Sequence, residues 1–348
     1  MNIHSTAGES LRRTLTRRGN SYDSAVTGFE ALTGHPWHRP TPAPLGIGAA
    51  VSVVIPAFNA AYCLRAVLDS LAAQQVDQPF EVIVVDDASC DATATIARTH
   101  PAPTTVLRLT RRCGAAAARN VGTVAASGAT IVYLDADIVL PAHVLADITA
   151  RADGSLVLIG FRHNVPYGMH GQGVFPANGP DLYADHRACW RPPVGQQLLY
   201  SGITLHQHLD GRPLDHTRDL RDLGCARTYY DWDLPRMVVT ALMAAPRAAI
   251  VDVGGFDPEF GAIGWGTEDT HLGAKLIATG LWVIPLRQAV GFHLDPPDAD
   301  IQWRAKLATW PGTLRRYQML LDQPAPTART AQFTTAMNTI RSLCEVLR

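Results

Sequence analysis

Between residues 51 and 140, short apolar runs alternate with segments whose apolar positions recur every three or four residues. The runs "VSVVIPAF" (51–58), "FEVIVVDD" (80–87), "TTVLRL" (104–109) and "ATIVYLDAD" (129–137) are β-branched or aromatic and too short for buried helices, so they predict strands. The first should end at Pro56. Between them, "NAAYCLRAVLDSLAAQQ" (59–75) sets Leu64, Val67, Leu68 and Leu71 on one helical face. A second helix should follow Ser89 or Asp91 as cap, and "GAAAARNVGTVAAS" (114–127) should form an Ala-rich third. The order β-α-β-α-β-α-β predicts an α/β fold with a parallel sheet and right-handed crossovers.

The pattern is weaker elsewhere. Residues 1–50 are polar and punctuated by Pro and Gly, and read as an extension or strap. Residues 162–236 are rich in Pro, His, Arg and Tyr with little periodicity, the mark of a binding region or lid. Order returns at 237–256, in a short helix opening at "EDTHLG", and in extended segments over 282–295. The tail should be helical on each side of Pro311. The expected division is an extension over 1–50, a ligand-binding unit over 51–160, an acceptor and catalytic unit over 161–300 and a helical tail over 301–348.

The 348 residues are 47% hydrophobic and 18% charged, enough for a large core. A net charge of −1 gives no reason to expect nucleic-acid binding. Six cysteines lie scattered without a CxxC pair, so free thiols in a reducing, cytoplasmic setting are expected. Four arginines near the start are followed by no apolar run, so no secretory signal is expected. No 18-residue apolar stretch exists, so no transmembrane segment is expected. A homo-oligomer is left open.

Candidate chemistry lies where the strands end, because ligands of such sheets bind beyond the carboxyl ends. Asp135 and Asp137 are two apart in an extended segment and point the same way. Two converging carboxylates repel unless a cation lies between them, which suggests a divalent-metal site; a turn before Pro141 is the plainer reading. Asp86 and Asp87 end the second strand and could equally be turn residues. The first βα turn lacks GxGxxG, which argues against a dinucleotide-dependent dehydrogenase. Glu268 and Asp269 open a helix, where charge could complement the dipole or supply a general base. His206 and His208 read as structural.

The string "VSVVIPAFNA…EVIVVDDASCDAT…GAAAARNVG…YLDAD" resembles the family 2 glycosyltransferases of GT-A fold, over roughly 51–140 and again at 254–293. The resemblance implies a Rossmann-like sheet with helices on both faces and an acceptor-binding C-terminal region. It implies a nucleotide-sugar donor, a UDP-sugar by the base pattern, with Mn²⁺ or Mg²⁺. Pro56, Ala57 and Phe58 would line the base pocket, and Asp87 would accept from the base. Gly114 would permit close approach, with Arg119 near the nucleotide. Asp135, with Ala136 between, would hold the ribose or a metal water, and Asp137 and His293 would bind the metal. The block "GGFDPEFGAIGWGTEDTHLG" resembles the corresponding region of inverting, galactosyltransferase-like members. Its glycines would leave room for a sugar stacked on Phe256 and Trp265. Asp269 would be the base and Glu268 would contact sugar hydroxyls. The acceptor would be a hydroxyl of a small molecule, glycan or peptide. Two alternatives remain: a retaining transferase or sugar-phosphate nucleotidyltransferase on a similar sheet, and a non-catalytic carbohydrate-binding protein. "IQWRAKLATW" has the wrong spacing for the QxxRW of processive synthases.

Overall fold

The computed structural model describes residues 8–18, 20, 22–37, 39–41, 45, 50–171, 199–200, 203–204, 235–326, 328–342 and 344–348. The four expected strands form as β1 (Val51–Ala57), β2 (Phe80–Asp86), β3 (Thr105–Leu109) and β4 (Thr130–Leu134). They pair in parallel, β1 lying between β2 and β4, with β3 outside β2. Further strands complete the topology: β5 (Ile138–Val139), β6 (Leu156–Val165), β7 (Leu199–Tyr200), β8 (Ile203–Thr204), β9 (Leu242–Pro246), β10 (Trp282–Leu294) and β11 (Cys344–Val346). The large sheet runs β11-β3-β2-β1-β4-β9-β6-β10-β5, and β7 and β8 pair separately. Helices Leu64–Ala72, Thr93–Thr99 and Ala115–Ala125 connect the parallel strands as the apolar spacing demands. Two apolar clusters fill the sheet's two faces, one holding Val54, Tyr133 and Phe256, the other Val53, Leu64 and Leu68.

Four details differ from the sequence reading. β1 continues through Pro56, because beyond Val54 it pairs with β2 alone and the missing N–H costs no ladder bond. Residues 162–165, read as irregular, belong to β6; most of the segment to 236, His206 and His208 included, lies outside the described residues. Helix Ala299–Leu321 runs unbroken through Pro311. The N-terminal segment is part of the core: helix Leu11–Thr16 buries Leu11 and Leu15, and Asn20 exchanges two hydrogen bonds with the Val283 backbone (2.8 and 2.7 Å). That helix is too short to show a periodicity.

The four described cysteines, 63, 90, 113 and 344, are free thiols. No helix among the described residues is long and apolar enough to cross a membrane.

Candidate active site

The site begins where β2 and β4 stop. Asp87 follows β2 and is buried, its backbone N–H donating to Ala57 O (2.8 Å). One carboxylate oxygen accepts from Cys113 N (2.6 Å) and the other from Gly114 N (2.8 Å). Burial pushes this carboxyl up, and the two N–H bonds and the Arg112 charge oppose the shift. Asp87 therefore anchors the loop carrying Gly114, and each oxygen keeps one lone pair for a further donor. Phe58 is exposed and lies under the Arg112 guanidinium, 4.0 Å from its ring centre. Pro56 is half-buried beside it. Ala57 is buried, so only its backbone borders the loop.

Gly114 (φ +88°) opens helix Ala115–Ala125, and a Cβ there would lie 2.8 Å from Gly261 Cα. The expected close approach is thus to another turn of this chain. One turn on, Arg119 is buried. Ala116, Ala117 and Ala118 before it are also buried, letting the helix pack close enough to carry the side chain inward. Its guanidinium donates to Asp135 Oδ1 (2.8 Å) and to Glu268 Oε1 (3.4 Å), and lies 5.6 Å from the centre of the Phe256 ring. One arginine therefore joins the acid after β4 to the acid that opens helix Glu268–Ala278.

Asp137 stands two residues farther along. Ile138 and Val139 form β5 antiparallel to β10, with His293 opposite Ile138, and this pairing delivers His293 to Asp137. Nε2 of His293 is 3.3 Å from Asp137 Oδ2, and Nδ1 is 3.0 Å from Asp295 Oδ1. Burial works to raise the Asp137 carboxyl, but the charges of His293, Lys306 and Arg162 hold it at about 2. His293 moves the other way: burial lowers it, and Asp137 overcomes that and raises it. Asp137 Oδ1 is buried with no hydrogen-bond partner among the described residues. A hard cation beside this carboxylate and imidazole would satisfy that oxygen, so the pair fits a divalent ion. Asp295 reaches only the far nitrogen of His293, and among the described residues no group of three or more His, Cys, Asp or Glu is placed to hold a metal. Ala136 is buried, and its carbonyl accepts from the Cys63 thiol (3.2 Å).

Glu268 and Asp269 open their helix after Thr267, which holds a left-handed φ of +67°. Among the described residues Glu268 Oε2 is buried without a partner, and Asp269 accepts from the backbone N–H of Thr270 (2.8 Å) alone. Burial and then the neighbouring Glu268 charge raise its carboxyl to about 7, against the pull of Arg119. Asp269 is thus a carboxylate with basicity near neutral pH, on the rim that holds Arg119 and Asp135.

Two expectations for the glycine-rich block fail. Phe256 is buried edge-on against Tyr133, 5.2 Å between ring centres, so no sugar can stack on it. A Cβ at Gly264 would strike Thr309, and one at Gly266 would touch the Trp310 ring at 2.9 Å; these glycines admit helix Ala299–Leu321, not a sugar. Gly255 likewise admits Phe333 and Asn120. Trp265 is half-buried between Trp303 (5.4 Å) and Trp310 (5.7 Å), with Lys306 Nζ 5.7 Å from its ring centre. Its backbone N–H donates to Thr309 Oγ1 (3.0 Å).

The sequence reading missed Arg162 on β6 and Lys306. Both charges act on Asp137, and Arg162 also faces Asp135 and Asp295. Burial lowers the Arg162 pKa. Neither lies in a recognisable motif; each arrives through an element distant in sequence.

Residues 52–170 match the profile of glycosyl transferase family 2. Validoxylamine A glucosyltransferase of Streptomyces hygroscopicus subsp. jinggangensis is 28% identical over 263 residues, 70% of this chain and 55% of that protein. An uncharacterised glycosyltransferase of Bacillus subtilis is 28% identical over 257 residues, 71% of this chain and 65% of its own. The chain thus spans roughly half to two thirds of these relatives. Among solved structures, a mannosyltransferase from Pyrobaculum calidifontis, in complex with GDP-Man and Mn²⁺, superposes with a TM-score of 0.50 at 21% identity, over 92% of this chain and 82% of that one. That likeness fixes the fold as GT-A, and the motif-bearing segment, residues 52–170, is similar to glycosyl transferase family 2.

Proposed function

We propose that this chain is a family 2 glycosyltransferase that moves a sugar, with inversion, from a nucleotide-sugar to an acceptor hydroxyl, with Asp269 as general base. The observation that carries the reading is the row of groups along one rim. Asp137 and His293 stand at one end, Arg119 and Asp135 in the middle, and Asp269 beyond them with its carboxyl raised to about 7. A carboxylate of that basicity is matched to taking a proton at neutral pH.

The acceptor oxygen attacks C1 from the face opposite the phosphate. Its proton goes to Asp269, the new C1–O bond forms, and the bond to phosphate breaks toward the nucleoside diphosphate. Mn²⁺ or Mg²⁺, held by Asp137 and His293, would supply neutralising charge for the diphosphate. Arg119 keeps Asp135 and Glu268 oriented, and Lys306 and Arg162 add positive potential on the diphosphate side. Phe58, Pro56 and Asp87 hold the base, and the uridine pattern in the sequence favours a UDP-sugar.

The acceptor is a hydroxyl of a small molecule, glycan or peptide, selected by the segment after β6. The glucosyltransferase relative is named for a small-molecule acceptor, which supports the first of these. A donor screen tests the reading. UDP-, GDP- and dTDP-sugars are each mixed with the protein with and without Mn²⁺, and nucleoside diphosphate release and the product anomer are followed by NMR. Release with a UDP-sugar and Mn²⁺, with inversion, is expected. Retention would remove Asp269 from the role of base.

A further inference from the structure

A second cavity lies behind the helix that carries Glu268 and Asp269. It has a volume of about 410 Å³, and its lining includes His271, Lys275, Phe256, Phe333 and Arg329. His271 and Lys275 stand one turn apart on helix Glu268–Ala278, and the cavity is roofed by helix Thr330–Arg341. The proposed transfer uses none of these polar groups.

The cavity's polar end is incomplete without a ligand. His271 is 6% exposed, and its Nδ1 is buried with no hydrogen-bond partner among the described residues. Such a nitrogen ordinarily finds a partner or a bound molecule. Lys275, 5% exposed, donates from Nζ to the carbonyls of Val253 (3.1 Å) and Gly255, leaving one of its three N–H groups for another acceptor. Arg329 stands exposed at the mouth, its backbone N–H on Asp252 O (2.9 Å). Asp257, which also lines the cavity, is already claimed by Arg316 (2.6 and 3.1 Å). The cationic groups therefore outnumber the free acids. Apart from Asn120, Gln323 and Gln332 the rest of the wall is apolar, with Phe256 and Phe333 both buried.

We propose that this cavity binds a small organic carboxylate, its head at His271, Lys275 and Arg329 and its apolar body between Phe256 and Phe333. The charge environment agrees. Burial pulls Lys275 down to about 7, and burial with the charges of Lys275, Arg316 and Arg329 holds His271 well below the usual range. An arriving anion relieves both. The position matters for the enzyme, because Phe256 exchanges backbone hydrogen bonds with the side chain of Asn120, the neighbour of Arg119 (2.8 and 2.7 Å). A ligand against Phe256 therefore presses on the support of the arginine that organises the active site.

Titration calorimetry on the full chain with benzoate tests the site, with benzyl alcohol as the uncharged control. Benzoate should bind saturably, benzyl alcohol should not, and saturating UDP–Mn²⁺ should leave benzoate bound. Arg329→Ala, an exposed position where folding is secure, should weaken benzoate about tenfold or more, as should His271→Leu. No saturable benzoate binding, equal binding of the alcohol, displacement by UDP–Mn²⁺, or an unchanged affinity in Arg329→Ala would each overturn the proposal. None of these outcomes depends on sugar transfer, so they stand apart from the donor screen.

Discussion

If Asp269 is the base, the acid limb of the rate profile is its titration, and two substitutions beside it must move that limb in opposite directions. The Asp269 carboxyl is raised to about 7 by burial and the Glu268 charge, and lowered by Arg119. Only the ionised form accepts a proton, so kcat/KM should fall as pH drops through about 7, to about a tenth of its plateau at pH 6. Glu268→Gln removes a raising charge, so the limb should move down. Arg119→Ala removes a lowering charge, so it should move up. A charge at close range is worth about one to three units. Shifts nearer one unit are expected, because the cavity is open to water on the Asp135 side, where that side chain is 30% exposed. Arg119→Ala also strands Glu268 and Asp135 without their cation, at a cost of about 3 kcal/mol, the low end for breaking a buried pair. Its profile must therefore be taken well below its melting temperature. The assay is initial-rate nucleoside diphosphate release from pH 5.5 to 8.5 for the three proteins. Asp269→Asn, which keeps the volume, should lose about 10²–10⁴ in kcat with UDP–Mn²⁺ affinity unchanged. If both neighbours shift the limb the same way, or neither moves it, the titrating group is not Asp269 and the proposed mechanism fails.

Asp137→Ala should abolish Mn²⁺-dependent UDP binding, measured by calorimetry; equal affinity in the variant would remove the metal from that carboxylate. Asp87→Ala should lower thermal stability as well as UDP affinity, because the N–H groups of Cys113 and Gly114 lose their acceptor at about 1–3 kcal/mol each. A variant with normal melting would show that the loop does not depend on that carboxylate. Gly266→Ala should cost about 1–3 kcal/mol by driving a methyl into Trp310 at a φ of +99°, and tryptophan fluorescence should report the displaced ring. An unshifted denaturation midpoint would count against the packing described for that turn.

What could be read from the sequence was local. The strand-helix alternation over 51–134 follows from side-chain period alone, and all four strands formed. Asp87 and Asp135 immediately follow strands, so their placement at the carboxyl edge needed nothing beyond topology. The glycines show the limit. Their spacing was read as room for a sugar, but a missing Cβ marks only a close approach and cannot name the neighbour. Thr309 and Trp310, more than forty positions away, fill the space at Gly264 and Gly266. The N-terminal helix hid for another reason: six residues carry too few apolar positions to show a face.

The electrostatics of the site were the least legible part, for a physical reason. A carboxylate at a strand end declares itself, but its proton affinity is set by whatever faces it. The cations that face these acids come from remote elements. Arg119 crosses from an Ala-rich helix, Arg162 comes from a strand in a segment read as irregular, and Lys306 comes from the C-terminal helix. The net shift also differs in sign from acid to acid, because burial and a neighbouring acid outweigh the cation at Asp269. Asp137, with His293, Lys306 and Arg162 about it, is held at about 2, while Asp269, with Glu268 at its side and Arg119 occupied elsewhere, rises to about 7. One rim therefore holds a carboxylate too acidic to take a proton and suited to a cation, and another basic enough to take one. The two sit in motifs of similar composition, "DAD" and "TED". The difference lies in which cation each acid keeps, and that is decided by tertiary packing.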